Sequence, residues 1–294
     1  MTGPLLILPG QQLDHLRVSY ARSVARRRRQ SSIALTALLL LTLLAGYAGE
    51  VSFSKFFSNI QNFTGYFYRI IPQLRFDHLQ TDLKEWMWNL DTWAQLIADT
   101  LLMAYCGTLL GFAGGFLVCF FAASNLMPNK TIRFAARRFL EFCRSVPELV
   151  FALIFILAFR LGPVPGVLAI AFHTTGALGK LFTEVVENID MKPVEGVRAC
   201  GSGWMEAIRF AVLPQVLPSF ASYCLLRFEI NVRGASVLGF VGAGGIGQEF
   251  LEAIRKFYYS DVSAILVLIT ITVFTIDIVT EQLRHRLIGL GRQR

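Results

Sequence analysis

Glu195-Gly196-Val197-Arg198-Ala199-Cys200-Gly201, running on to Leu213-Pro214, is a polar, glycine-punctuated stretch inside a chain that otherwise reads as lipid-soluble. A run of this composition between apolar segments points to a part that meets a soluble partner outside the bilayer. Around it the chain is 54% hydrophobic and 16% charged over 294 residues, with a mean hydropathy of +0.52. That is too apolar for an ordinary soluble domain of this length. Stretches near the ~20 residues needed to cross ~30 Å of hydrocarbon lie at Ile33 to Ala48, Ala94 to Ala123, Phe139 to Phe159, Val164 to Phe182, Ser219 to Val241 and Val262 to Val279. The expected fold class is an all-α integral membrane protein with about six transmembrane helices.

Arg26 to Arg29 precede the first apolar stretch, as the basic region of a signal peptide also would. Signal peptides have short apolar cores and small-residue cleavage sites, so a first transmembrane helix is the expectation. In a six-span arrangement Arg22 and Arg26 to Arg29, then Lys130, Arg133, Arg137 and Arg138, then Lys192, Arg198 and Arg209, and finally Arg284, Arg286, Arg292 and Arg294 share one side. Positive loops stay inside, which makes that side, and both termini, cytoplasmic. The opposite side carries Lys55, Arg69, Arg75 and Lys84, diluted by Glu50, Asp77, Asp82, Glu85 and Asp91. The expected layout is a basic tail (1–32), a first span (33–48), an external segment (50–93), a core (94–285) with a cytoplasmic loop at 185–217, and a second tail (286–294).

The net charge of +8 is spread over loops and tails and lines no groove with aromatics, so topology explains it and nucleic acid is not an expected partner. Cys106, Cys119, Cys143, Cys200 and Cys224 form no C-x-x-C pair and imply neither metal nor disulfide. Phe53, Phe56, Phe57, Phe63, Tyr66 and Phe67 recur at helical spacing among charges, the pattern of a helix lying in the headgroups of the outer surface. In the second span Gly107, Gly111 and Gly115 are spaced by four, which allows close helix approach in lipid.

Arg227, Glu229, Asn231 and Arg233 crowd the fifth span. At roughly 2.5–3.5 kcal/mol for each charge at a helix centre, three charges cost about 8–10 kcal/mol on a lipid-facing helix. The segment must therefore face protein or water. Glu229 and Arg233 are four apart and can pair, leaving Arg227 as the freer cation. Arg144 and Glu148 flank Pro147 at the start of the third span, and His173-Thr174-Thr175-Gly176 interrupts the fourth. An internal ion-pair network and a path for an anionic substrate both fit these groups.

Gly242-Ala243-Gly244-Gly245-Ile246-Gly247 matches the dinucleotide fingerprint G-x-G-x-x-G, but a charged membrane segment precedes it where that fold needs a strand. A flexible turn at the outer face is the expectation, with no cofactor bound, and a membrane-bound nucleotide-binding enzyme is the alternative. The chain contains no G-x-x-x-x-G-K-[ST] phosphate loop, no G-x-S-x-G and no H-E-x-x-H, so no catalytic residue is assigned.

Glu195, Gly201, Leu213 and Pro214 have the spacing of the E-A-A motif, and the chain resembles the permeases of ABC importers. It departs from that motif at Gly196 and Val197, where two alanines are usual, and at Ala211, where isoleucine is usual. His173 to Gly176, Pro193 to Ala199, Arg227 to Arg233 and Val241 to Gly247 narrow the likeness to permeases of phosphonate importers over residues 95 to 285; methionine-type permeases share a similar glycine string. The resemblance implies a type I importer permease that pairs with a second copy, docks two ATPase subunits that bind ATP and Mg, and receives solute from an external binding protein. It assigns Glu195, Gly196, Val197, Arg198, Ala199, Gly201, Leu213 and Pro214 to ATPase coupling.

Overall fold

The computed structural model describes residues 10–49, 52–72 and 75–291. Glu50, Arg292 and Arg294, used above for orientation, lie outside the described residues, as do residues 1–9 of the tail. Among the described residues the regular elements are all helical. They divide into two compact units, residues 1–68 and 69–294.

In the first unit α1 (Gly10–Ala48) is one continuous helix that passes through Arg26 to Arg29 and across the boundary drawn at residue 32. Leu38, Leu41, Leu43 and Leu44 are exposed on it, a surface suited to lipid and not to water. α2 (Phe53–Ile70) begins in this unit and is the amphipathic helix that the aromatic spacing predicts.

The second unit opens with α3 (Leu79–Trp86), where the backbone N–H and guanidinium of Arg75 hold the Asp82 carboxyl below its ordinary range. α4 (Leu90–Ala122) and α7 (Pro163–Glu187) form the central pair. The glycines of α4 explain their closeness. A Cβ at Gly111 would sit 2.5 Å from Thr174 Cβ, and one at Gly115 would sit 2.8 Å from the Gly179 backbone nitrogen. Shape fit between small residues replaces the hydrophobic drive that lipid does not supply. α7 runs unbroken through His173 to Gly176, so the polar string does not interrupt it as expected. Thr175 and Thr183 are satisfied within the helix, Thr175 Oγ1 donating to the Ala171 carbonyl at 2.8 Å and Thr183 Oγ1 to the Gly179 carbonyl at 2.7 Å.

The third apolar stretch is broken. α5 (Lys130–Ser145) and α6 (Glu148–Phe159) meet at an angle of 89°. Pro147, whose ring cannot continue a helix from α5, stands at the joint. α6 is 12 residues, or about 18 Å, well short of the hydrocarbon thickness. Among the described residues four other helical stretches are long and apolar enough to cross a membrane, and the bent pair makes a fifth where it is counted as one span. α7 does not meet that test. Neighbouring helices cover it, with Ile170, Thr174, Leu178, Phe182 and Val186 all fully buried, so it need not be soluble in lipid.

Three buried clusters hold the unit together. Phe120, Phe182 and Phe220, with Leu126, Val194 and Val212, fill one end. Met103, Phe151, Ile170, Val232 and Leu238 fill the middle. Trp93, Ile246, Ala253, Val262 and Ile265 join α4, α11 (Ile246–Arg255) and α12 (Tyr259–Gly291) at the other end. The Gly242–Gly247 turn is packed, contrary to the expected flexibility. Ala243 and Ile246 are buried, Gly162 N–H donates to the Gly242 carbonyl at 3.1 Å, and Ile246 N–H donates to Thr100 Oγ1 at 3.0 Å. It follows a helical segment, as the reading against a dinucleotide site requires.

Candidate functional site

The segment at 185–217, drawn as a loop, is mostly helical. Asp190 caps α8 (Met191–Ala199), its Oδ1 accepting the Lys192 N–H at 3.0 Å. Only Val194 of α8 is buried, in the core beside Leu126 and Val212; Glu195, Gly196, Arg198 and Ala199 are exposed and Val197 is half-buried. α8 is therefore a ridge anchored by Val194, with Met191 and Val197 packed beside it, and with its polar face exposed. Gly201 stops it with φ of +84°, a conformation that glycine adopts without strain, and its N–H donates to the Arg198 carbonyl at 2.9 Å. A Cβ at Gly196 would meet nothing within 4 Å. Gly196→Ala is thus expected to raise stability by about 0.5–1 kcal/mol, read as a higher unfolding temperature in detergent; a fall would show that the backbone there needs glycine.

Leu213 and Pro214 do not share the α8 surface. After a short α9 (Trp204–Ala207) the backbone widens to a π-helix over Ile208–Val212, and Leu213 and Pro214 form the first turn of α10 (Leu213–Leu238). Leu213 packs on the core, and Pro214 is exposed. Behind α8, Arg137 Nη2 meets Glu187 Oε1 at 2.6 Å and Arg137 Nε donates to the Ala122 carbonyl at 2.9 Å, tying the ends of α4, α5 and α7 together.

The other sequence-marked residues separate into two groups on α10. In the first, Asn231 is fully buried and its Nδ2 donates to Thr108 Oγ1 at 2.8 Å and Thr174 Oγ1 at 2.9 Å. Arg227 Nε donates to the same Thr174 oxygen at 3.3 Å. Glu148 stands in the first turn of α6, its carboxylate close to Gly234 of α10, and His173 Nδ1 lies 3.2 Å from the Val146 carbonyl at the same joint. Glu148 Oε1 is buried without a hydrogen-bond partner. Glu148 and His173 thus stand at the N-terminal end of α6, with Arg227 hydrogen-bonded to the residue after His173, and the first-turn N–H groups of a helix favour negative charge.

The second group lies elsewhere. Arg233 pairs with Glu229, as their spacing requires, and also with Asp277 of α12 at 2.9 Å. Thr280 Oγ1 reaches Glu229 at 3.5 Å. Two carboxylates around one guanidinium make this a satisfied tie between α10 and α12, beside a groove of about 450 Å³ lined by Phe240, Phe250, Leu266 and Phe274. Arg144 is exposed, and the bend at Pro147 turns Glu148 away from it, so these two do not pair. Thr175 faces α4 near Gly114 and belongs to the packing seam. Sequence reading missed Thr108 and Asp277. Asp277 carried a usable signal, a carboxylate inside the last apolar stretch; Thr108 carried only its place between Gly107 and Gly111.

A broken span with ionisable groups at its joint, a glycine seam and a half-exposed surface helix between two long helices define a multi-pass membrane permease. The family model described as binding-protein-dependent transport system inner membrane component matches residues 115–288. The chain belongs to that family, as a transport subunit of the inner membrane. It is 34% identical over 277 residues to the phosphite transport system permease protein PtxC of Stutzerimonas stutzeri, covering 94% of this chain and 95% of that one. It is 39% identical over 197 residues to the phosphate-import permease protein PhnE of Mycolicibacterium smegmatis, covering 67% of this chain and 37% of that protein. Among solved structures, a chain of the inward-facing MetNI methionine ABC transporter superposes with a TM-score of 0.58 at 19% identity, covering 66% of this chain and 95% of that chain. That likeness concerns the fold.

Proposed function

We propose that this chain is the membrane-spanning subunit of an ATP-driven importer that carries phosphonate, or the related phosphite or phosphate, into the cytoplasm. The observation that carries the substrate class is Arg227, a half-buried cation with no ion-pair partner among the described residues, hydrogen-bonded to Thr174 next to His173. Tetrahedral phosphorus oxyanions offer the charge and acceptors that a guanidinium matches. The names of the phosphite and phosphate relatives support the same class.

Two copies of the chain form the pore, an external binding protein delivers the anion, and two separate ATPase subunits bind ATP and Mg. The lack of a phosphate loop in the sequence supports that division of labour. Glu195, Gly196, Val197, Arg198, Ala199 and Gly201 present the α8 ridge to an ATPase groove, while Leu213 and Pro214 join the ridge to α10. Closure of the ATPases then rocks the helices between outward-open and inward-open states. Arg227, Glu148 and His173 border the anion path; Asn231 and Thr174 brace Arg227. Arg144 stands at the surface of the same broken span. Glu229 and Arg233 serve as the α10–α12 tie, and Thr175 serves packing.

The test is to purify the complex in mild detergent, identify the binding protein that stimulates its ATP hydrolysis, and titrate that protein with methylphosphonate, phosphite and phosphate. Micromolar or tighter binding of one of the three is expected. A stimulating binding protein that holds none of them overturns the substrate class, and a chain that never brings down an ATPase overturns the importer assignment.

A further inference from the structure

Between the α8 ridge and the helix that bears Arg227 stands one polar side chain that carries no charge and matches no motif. Gln215, in the first turn of α10, is paired with the peptide of Asp190 much as one strand pairs with another. Asp190 N–H donates to Gln215 Oε1 at 3.1 Å, and Gln215 Nε2 donates to the Asp190 carbonyl at 3.2 Å. The same Nε2 donates to the Ala211 carbonyl at 2.7 Å, inside the π-helical turn. Asp190 is the residue that caps α8, its carboxylate held by Lys192 N–H. The N–H, the carbonyl and one carboxylate oxygen of Asp190 are thereby engaged, two by Gln215 and one by α8 itself.

What Gln215 grips is a length of helix with missing rungs. Pro214 and Pro218 lack N–H groups, so the carbonyls one turn before each lose their ladder donor. The Leu213 N–H skips to the Ile208 carbonyl, five residues back. Missing rungs at a π-turn and two prolines are the recognised causes of helix bending. A cleft of about 490 Å³ lined by Leu181, Glu184, Asn188, Asp190, Gln215 and Tyr223 leaves this joint room to move. Arg227 lies twelve residues further along α10, about 18 Å from Gln215 along the axis.

We propose that Gln215 is a positioning residue that fixes the cap of α8 to the flexible start of α10, so that displacement of the α8 ridge becomes displacement of the helix bearing Arg227. The proposal rests on the reading of α8 as the ATPase-coupling helix. Leucine at 215 would preserve bulk and helix propensity while removing all three hydrogen bonds; glutamate would keep the acceptor for Asp190 N–H and lose the donor.

The experiment uses the whole transporter in proteoliposomes, with its binding protein and radiolabelled methylphosphonate, and compares wild type, Gln215→Leu, Gln215→Glu and Gly201→Val. Gln215→Leu is expected to lower uptake per ATP hydrolysed about tenfold, with ATPase subunits still bound and basal hydrolysis retained; Gln215→Glu is expected to fall between it and wild type. Unchanged uptake per ATP in Gln215→Leu overturns the proposal, as does loss of bound ATPase in step with uptake, which would assign Gln215 to docking alone. Gly201→Val separates the two layers. If it leaves ATPase binding and uptake intact, the coupling reading of α8 fails; if it impairs them while Gln215→Leu does not, only the Gln215 link fails.

Discussion

Arg227→Ala is expected to reduce oxyanion uptake about a hundredfold while the ATPase subunits still co-purify. The size follows from a charge-assisted contact of roughly 3 kcal/mol lost at a site screened from bulk water. The selectivity of the effect follows from position. Arg227 touches Thr174 in the middle of the bundle, whereas the α8 ridge is held by Val194 and the cluster around Phe182. Asn231 keeps its own bonds to Thr108 and Thr174 when Arg227 is gone, so the α4–α7–α10 contact should survive. Uptake into vesicles and the yield of bound ATPase, measured on the same preparation, decide the matter. If the variant loses ATPase and uptake together, Arg227 belongs to the scaffold and the anion path lies elsewhere. Arg227→Lys keeps the charge but loses the planar fork, and intermediate uptake is expected.

Gly115→Leu should prevent the bundle from forming. The added Cβ alone would lie 2.8 Å from the Gly179 backbone nitrogen and 3.3 Å from its Cα, atoms that cannot rotate away. Separating α4 from α7 opens the seam at Gly107 and Gly111 as well, and overpacking costs of 1–3 kcal/mol, or more against backbone, fall on a fold whose whole margin is roughly 5–15 kcal/mol. The readout is the fraction of protein that elutes as a single species from detergent. Gly65→Leu, at a glycine with open space around it, is the matched control and should elute like wild type. Normal elution of Gly115→Leu would show that the two helices can slide apart without loss.

Sequence alone disclosed what composition and period control. The lipid-soluble character, the glycine seam of α4, the amphipathic α2 and the Glu229–Arg233 pair all follow from local spacing, and each has its counterpart in the structure. Tertiary partners were hidden. Nothing local says that Arg233 also meets Asp277, that Asn231 reaches Thr108 across the bundle, or that Glu148 turns away from Arg144. The continuous path of α7 through His173-Thr174-Thr175-Gly176 was hidden for a related reason. Polar residues interrupt a lipid-facing helix but not one enclosed by four neighbours. Pro147 did announce a disturbance, yet a proline fixes neither the sign nor the size of a bend, and the 89° turn comes from where α6 finds its own contacts.

The length of α1 carries a consequence of its own. At 1.5 Å per residue its 39 residues make a rod of about 58 Å, of which the uncharged part, residues 30–48, is about 28 Å, close to the hydrocarbon thickness. Sliding the rod by one turn toward its C-terminal end would submerge Arg28 and Arg29, at roughly 2.5–3.5 kcal/mol apiece if they reached the centre. Sliding it the other way would lift leucines into water. A shift either way is thus opposed, and the remaining half of the rod, residues 10–29, carries six arginines against one aspartate, a stiff basic column suited to anionic headgroups.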